Sequence, residues 1–208
     1  MRAAREHPDA ALRYVLRREG GEPVTVAAPA AAASRVCLPD PEAKARLVAA
    51  VLSARCRADE ELELFGESVA VLDASRRERL RSRIGVLTPA VGLIANLNAW
   101  ENISLPAAYH GAPPIAQILR TALEALEALG ADPERLLHRL PDQLGAFEKK
   151  LVEFVRLLAA EPALAVFDAL GDGLSGDECA RAVRFEAEYR ARQPAGTLIH
   201  VHLPGGRI

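Results

Sequence analysis

Lys44 lies in the stretch Leu38-Pro39-Asp40-Pro41-Glu42-Ala43-Lys44-Ala45-Arg46, ahead of an apolar helix pattern of Leu47, Val48, Val51 and Leu52. The spacing echoes the phosphate-binding pattern GxxxxGK[ST] between a strand and a helix. There the glycines let the backbone wrap a phosphate chain, the lysine pairs with the phosphates and the hydroxyl holds magnesium. Here the lysine remains, but the glycine positions read Leu38, Pro41 and Ala43 and the hydroxyl position reads Ala45. Leucine and alanine do not freely adopt the positive φ that glycine allows. Pro39 and Pro41 remove two backbone N–H donors, and Glu42 adds a carboxylate where a phosphate would lie. A helix N-terminus attracts an anion, and so does Lys44. Asp40 or Glu42 is therefore expected to occupy the phosphate position from within the chain; the alternative is that both are solvated first-turn acids.

Other residues capable of chemistry are less organised. His200 and His202 share one strand face, but no Cys, Asp or Glu cluster with ligand spacing accompanies them. No metal site is expected. His7, His110 and His138 read as surface or loop residues. Cys37, Cys56 and Cys179 are odd in number and widely spaced, which argues against a disulfide framework or a zinc site and for buried thiols. Trp100 stands with Leu97 and Ile103 at helical spacing, so core packing is its expected role.

The elements that must position these residues follow from patterning. Residues 1–20 read as a strand or a loose helix. Val24–Ala28 and Arg35–Leu38 read as short strands. Pro41–Leu52 is a helix with proline in its first turn. Phe65-Gly66 joins Glu61–Leu64 and Glu67–Leu72 in a tight hairpin. Ser75 caps a basic helix to Arg83, and Ile84–Leu87 is a buried strand. Asn98 to Glu101 resembles a capping box whose helix closes at Pro106. Helices follow over Pro114–Leu129, from Asp132-Pro133, and over Gly145–Ala160. Ala163–Phe167 is a buried strand ending in Asp168, Asp177–Gln193 is a helix and Thr197–Val201 is a last strand. This order predicts an α/β core with a helical insertion.

Bulk composition narrows the function. A chain of 208 residues, half of them apolar, fits one α/β domain. With 28 acidic and 26 basic residues the net charge is −2, which gives no electrostatic reason to expect nucleic acid or an anionic membrane as partner. No signal-peptide pattern and no membrane-length apolar run is seen, so direct membrane insertion is not expected and the reading is cytoplasmic.

Taken in order, five segments over about residues 20–204 resemble the nucleotide-binding subunit of an ATP-binding-cassette (ABC) transporter. They are the loop at Lys44, the hairpin Asp59–Gly66, Arg83-Ile-Gly-Val-Leu-Thr88, Leu140-Pro-Asp-Gln-Leu-Gly-Ala-Phe-Glu-Lys-Lys150, and Ala163–Gly173. The resemblance implies a P-loop-NTPase-type core sheet with an N-terminal antiparallel β portion. It also implies one domain over 1–208 with a helical subdomain at about 90–160. Thr88 then stands for a glutamine that touches magnesium and the attacking water. Asp168 stands for a magnesium-organising aspartate and Ala169 for the catalytic glutamate. Leu144, Gly145, Ala146, Phe147 and Glu148 stand for the signature that meets the partner subunit's nucleotide. A bulky ring and a negative charge are expected there, repelling phosphate. Leu203 falls at the switch histidine, and His202 serves only if the register slips.

The stretch from Gly92 to Pro106 matches the family closely and, by that resemblance, grips the membrane permease. Asn96, Asn98, Trp100, Glu101 and Asn102 are the docking candidates. A protein selected only to hold a partner has this pattern; so does a decaying copy, although that usually loses core pattern too. The expectation is a non-hydrolysing structural or regulatory subunit, peripheral on the inner membrane face, bound to a permease, an active sister ATPase or both, and possibly dimeric. No cofactor is expected. The alternatives are a nucleotide-binding or slow ATPase subunit, which needs ATP and magnesium, and a soluble interaction module unrelated to transport. The stretch from Trp100 to His110 most resembles ATPases of bacterial lipid or lipoprotein transport, such as the phospholipid-asymmetry system, although exporters of small molecules carry similar stretches.

Overall fold

The computed structural model describes residues 10–110 and 113–206. In chain order the first elements are β1 (Ala10–Leu16), β2 (Val24–Pro29), β3 (Ala33–Cys37), α1 (Pro41–Ser53), β4 (Glu60–Leu64) and β5 (Glu67–Ser68). Next come α2 (Ala74–Arg81), β6 (Ile84–Leu87), α3 (Ala99–His110), α4 (Ile115–Ala128), α5 (Pro133–Leu137) and α6 (Ala146–Ala159). The last are β7 (Leu164–Asp168), α7 (Gly176–Ala182), α8 (Arg184–Arg192) and β8 (Thr197–His202).

The strands form two sheets. One is antiparallel, in the order β2-β1-β4-β5; the other is parallel, in the order β3-β8-β7-β6. β7 is buried at all five positions, as expected of a parallel strand covered on both faces. Its side chains alternate between two cores. Ala165 and Phe167 face the helices, with Phe154, Phe185 and Leu198. Leu164 and Val166 face α1 and the antiparallel sheet, with Leu47, Val51, Leu62 and Val201. The chain is thus an α/β protein whose parallel sheet lies between an antiparallel β layer with α1 and the helices α3–α6.

Local chemistry sets the element ends. Asp40 caps α1 and Pro41 takes its first position. The hairpin turn places Phe65 at φ 51° and Gly66 at φ 78°, the double left-handed turn that matches strand twist. Four elements differ from expectation. β5 stops at Ser68 rather than Leu72, because the chain turns into a 3-10 helix over Val69–Val71. Asp73, not Ser75, caps α2, because its carboxylate reaches the Arg76 N–H at 2.8 Å. α3 runs on through Pro106 rather than ending there. A proline inside a helix forgoes one hydrogen bond, and packing against α4 and α6 outweighs that loss here. The helix expected over Asp177–Gln193 is two, α7 and α8, meeting at Val183. Nor are the thiols buried: Cys37 is exposed, and Cys56 and Cys179 are half-exposed.

Candidate functional site

The C-terminal ends of the parallel strands are where an open α/β sheet places its ligand. Cys37, Leu87, Asp168 and His202 end the four strands here. A phosphate loop would need a stretch of free backbone N–H groups between β3 and its helix. Only Leu38 and Pro39 separate Cys37 from the cap Asp40. Leu38 is buried and its N–H donates to the His202 carbonyl at 2.9 Å. The helix has already begun at Pro41, so the Lys44 N–H donates to the Asp40 carbonyl at 3.2 Å. The first turn of α1 therefore lies where a loop would wrap.

Asp40 accepts the Ala43 N–H at 2.8 Å and pairs with Arg18. The Ala43 amide, and then the Arg18 guanidinium, hold its carboxyl below the usual carboxylate range. Glu42 is exposed. Of the two acids expected at the phosphate position, Asp40 thus caps the first turn of α1. Lys44 Nζ meets Asp168 Oδ1 at 2.5 Å. The Thr88 hydroxyl donates to Asp168 Oδ2 at 2.8 Å, and the Ala90 N–H donates to the Thr88 oxygen at 3.3 Å. The Lys44 and Asp168 side chains are only 18% and 9% exposed. Three of the candidate residues, Lys44, Thr88 and Asp168, are thus brought together, and they satisfy one another.

A cavity of about 520 Å³ on the other side of Asp40 is lined by Arg17, Arg18 and Arg46 among others. Each of these arginines already holds a carboxylate. Arg17 pairs with Glu61, Arg18 with Asp40, and Arg46 with Asp59 at 2.6 Å and Glu60 at 2.8 Å. Past Asp168, Ala169 sits at φ 56°, a left-handed conformation that strains a residue with a Cβ. Its carbonyl accepts from Lys150 Nζ at 3.1 Å, tying α6 to the end of β7.

The candidate signature residues form the start of α6. Leu144 is buried, Gly145 is the cap and Ala146 the first helical residue. The Phe147 ring is not turned outward, as the sequence reading expected. It is buried against Phe185, with centroids 5.9 Å apart, beneath the Arg181 guanidinium at 3.9 Å. Helix periodicity turns Phe147 inward. Glu148 does not stand as a free repelling charge either. It accepts the Gly145 N–H at 2.8 Å and holds Arg139 through both oxygens at 2.8 and 2.9 Å. The amide that could meet an anion is therefore already in use.

His202 stays in register opposite Cys37, and its Nδ1 lies 3.2 Å from the Leu203 carbonyl. No slip brings it to Asp168. His200 is buried, 3.0 Å from Glu186 and edge-on to Phe167 at 5.3 Å. Burial lowers its pKa against the opposing pull of Glu186. His138 is exposed, while His7 and the His110 side chain lie outside the described residues.

The docking candidates divide. Asn98 and Glu101 form a reciprocal capping box, both bonds 2.8 Å. Asn102 is fully buried: its amide accepts from Ile94 N at 2.8 Å and donates to the Ile94, Leu97 and Asn98 carbonyls. It shapes the loop and presents nothing to a partner, contrary to its place among the contact candidates. Trp100 is half-buried against the helical core, and Asn96 is exposed. Sequence reasoning missed a groove of about 540 Å³ below this loop, bounded by Val91, Ile103, Leu105, Ile118, Glu153 and Arg156. Burial pushes the Glu153 carboxyl up, against the pull of Arg156. No local pattern announced it, because Ile118 of α4 meets Val91, Ile103 and Arg156 from distant stretches of chain.

Among the described residues no group of three or more His, Cys, Asp or Glu could hold a metal, and no helix is long and apolar enough to cross a membrane.

No family model matches the chain. In sequence it is similar to the methionine import ATP-binding protein MetN 1 of Pseudomonas syringae pathovar syringae, 27% identical over 128 residues, 62% of this chain and 38% of that protein. It is also similar to an uncharacterized ABC transporter ATP-binding protein of Thermotoga maritima, 36% identical over 104 residues, 50% of this chain and 43% of that one. The chain thus spans less than two fifths of the length of the methionine-import relatives it matches. In structure it is similar to cbiO1 of Clostridium perfringens, described as part of the ABC transporter complex cbiONQ, with TM-score 0.72, 16% identity, and 93% of this chain and 79% of that one covered. The dimeric ABC transporter cassette MJ0796 superposes with TM-score 0.71, 18% identity, and coverage of 92% and 88%. These relatives are named for methionine import or for no substrate, so the lipid-transport resemblance gains no support from them. The chain is a homologue of the ATP-binding subunits of ABC transporters and has the fold of their cassettes.

Proposed function

We propose that this chain is a non-hydrolysing cassette-like subunit that docks on a membrane permease, an active sister ATPase or both, and contributes structure or regulation rather than turnover. One observation carries the reading: Lys44, in the first turn of a helix that starts at Pro41, is neutralised by Asp168, itself bonded to Thr88. A magnesium-bound triphosphate does not fit these residues. The amine is engaged, the Leu38, Ala43 and Lys44 N–H groups are engaged, Pro39 and Pro41 have none, and position 45 has no hydroxyl. Ala169 offers no base for water, and the Gly145 N–H is capped by Glu148.

The partner side of the reading is drawn from the relatives. The similar cbiO1 is part of a transporter complex, and the similar MJ0796 cassette is dimeric. By analogy the chain sits peripherally on the cytoplasmic face of a membrane through a permease. The groove lined by Val91, Ile103, Leu105 and Pro106 takes a helix of that permease, and Asn96, Asn98, Trp100 and Glu101 are further contact candidates on the neighbouring loop and helix. In a pair with an intact ATPase, this chain's Lys44 region would impair one site and its Gly145 region the other. That favours a structural role over a working half of an asymmetric ATPase.

The test is phosphate release by the purified chain, followed by co-expression with candidate polytopic permeases from the same genome. Background-level release together with stable co-purification in detergent is expected. Release at an ordinary transporter rate, or a permease that never co-purifies, contradicts the proposal.

A further inference from the structure

The loop over residues 88–98 has no strand or helix hydrogen bonds of its own, yet its exposed apolar tips Val91 and Ile94 are held in place. Side chains from three directions hold it. At its start, Thr88 is bonded to Asp168, and Thr88 in turn accepts from the Ala90 N–H through its hydroxyl and from the Val91 N–H through its carbonyl. In its middle, Arg156 of α6 donates to the Val91 carbonyl at 3.3 Å and to the Gly92 carbonyl at 3.2 Å. Near its end, Asn102 of α3 grips Ile94 through both N–H and carbonyl. Val91 and Arg156 are also walls of the groove. A continuous bonded path therefore runs from Lys44 on α1, through Asp168 on β7 and Thr88 after β6, to the groove wall.

We infer that Lys44, Asp168 and Thr88 are positioning residues for the docking groove: an ion pair internal to the chain, rather than any ligand, sets the shape of its loop wall. With Lys44 removed, the Asp168 carboxylate is left nearly buried beside a single hydroxyl, so it must take up a proton or turn toward water. Either change alters the acceptor of the Thr88 hydroxyl and slackens the start of the loop. A wall held rigid before binding spares a partner the entropy of ordering it. The inference rests on the docking reading only for its purpose; the bonded path itself requires no partner.

Hydrogen exchange on the full chain tests it, comparing the natural protein with Lys44→Met and Thr88→Val, each with and without magnesium ATP. Severing the path is expected to speed exchange of amides in 88–98 by about ten-fold in both variants, while β1 and β4 keep their protection. Magnesium ATP is expected to change nothing. Unchanged loop exchange in either variant overturns the inference. So does an equal rise throughout the chain, which is the mark of a merely structural role. If Lys44→Met does not fold, Lys44→Met with Asp168→Leu replaces the pair by apolar bulk and still leaves the Thr88 hydroxyl without its acceptor, so the loop alone should loosen. Protection of residues 40–47 by magnesium ATP would strike the docking-without-nucleotide reading instead, and the loop result would stand apart from it.

Discussion

At the ends of β6 and β7 polar side chains face one another, whereas along residues 94–102 they face the backbone of the loop they shape. The first arrangement closes a site. Lys44, Asp168 and Thr88 satisfy each other, Asp40 and Arg18 pair, and Glu148 covers the Gly145 amide. The second arrangement keeps a surface open. Asn102 and the Asn98–Glu101 box are turned to the loop itself, which leaves Val91 and Ile94 exposed beside a groove of about 540 Å³. The same chemistry, hydrogen bonds from short polar side chains, has opposite consequences. Where donors are turned inward on acceptors, nothing remains for a ligand. Where they stiffen a loop, apolar tips can be presented at low entropic cost.

The comparison breaks most visibly at Asp168. Asp168→Ala leaves the Lys44 ammonium uncompensated, and urea unfolding should show a loss of about 3 kcal/mol, whereas Lys44→Met with Asp168→Leu should return to within about 1 kcal/mol of the natural chain. Equal losses in both variants would mean the pair is not closed. On the other side of the comparison, Asn102→Ala should cost about 2 kcal/mol by the same measurement, because it abandons both a donor and an acceptor role under the loop. Glu148→Ala removes half of a capping box and should cost about 1 kcal/mol. It also frees the Gly145 amide, yet phosphate release should stay at background, since the Lys44 region is untouched; a rise would show that the cap alone silences the chain.

The smallest expected effect concerns His200. Burial lowers its folded pKa, so as pH falls through its unfolded value of about 6.5 the unfolded chain takes up the proton first. Stability should therefore decline as pH drops below about 6.5 and level off beneath the folded value. Thermal unfolding between pH 7.5 and 5.5 should show this decline, and His200→Gln should flatten part of it.

Much of this was legible in the chain. The apolar run before Asp168 could only be a covered strand, and Asp40-Pro41 could only open a helix, because a cap followed by proline is compatible with little else. Asn98 and Glu101 announced their box by spacing. What patterning cannot convey is which distant groups meet. The pairing of Lys44 with Asp168 spans 124 positions. Its only sequence signal was a lone acid closing an apolar strand and a lone lysine in an alanine-rich turn, two charges that burial obliges to find each other. Phe147 was read from its motif position as facing outward, whereas helix periodicity turns it inward onto Phe185. Pro106 was read as a stop because local propensity says so, and tertiary packing of α3 overrode it. The groove was unreadable because its walls come from four separate stretches of chain.

Calorimetric titration of the purified chain with ATP and magnesium tests the central claim most directly. The closed Lys44–Asp168–Thr88 cluster predicts no saturable heat up to about 1 mM nucleotide, which bounds the binding free energy at about −4 kcal/mol. Saturable one-site binding at micromolar concentration, lost in Lys44→Ala, would contradict it.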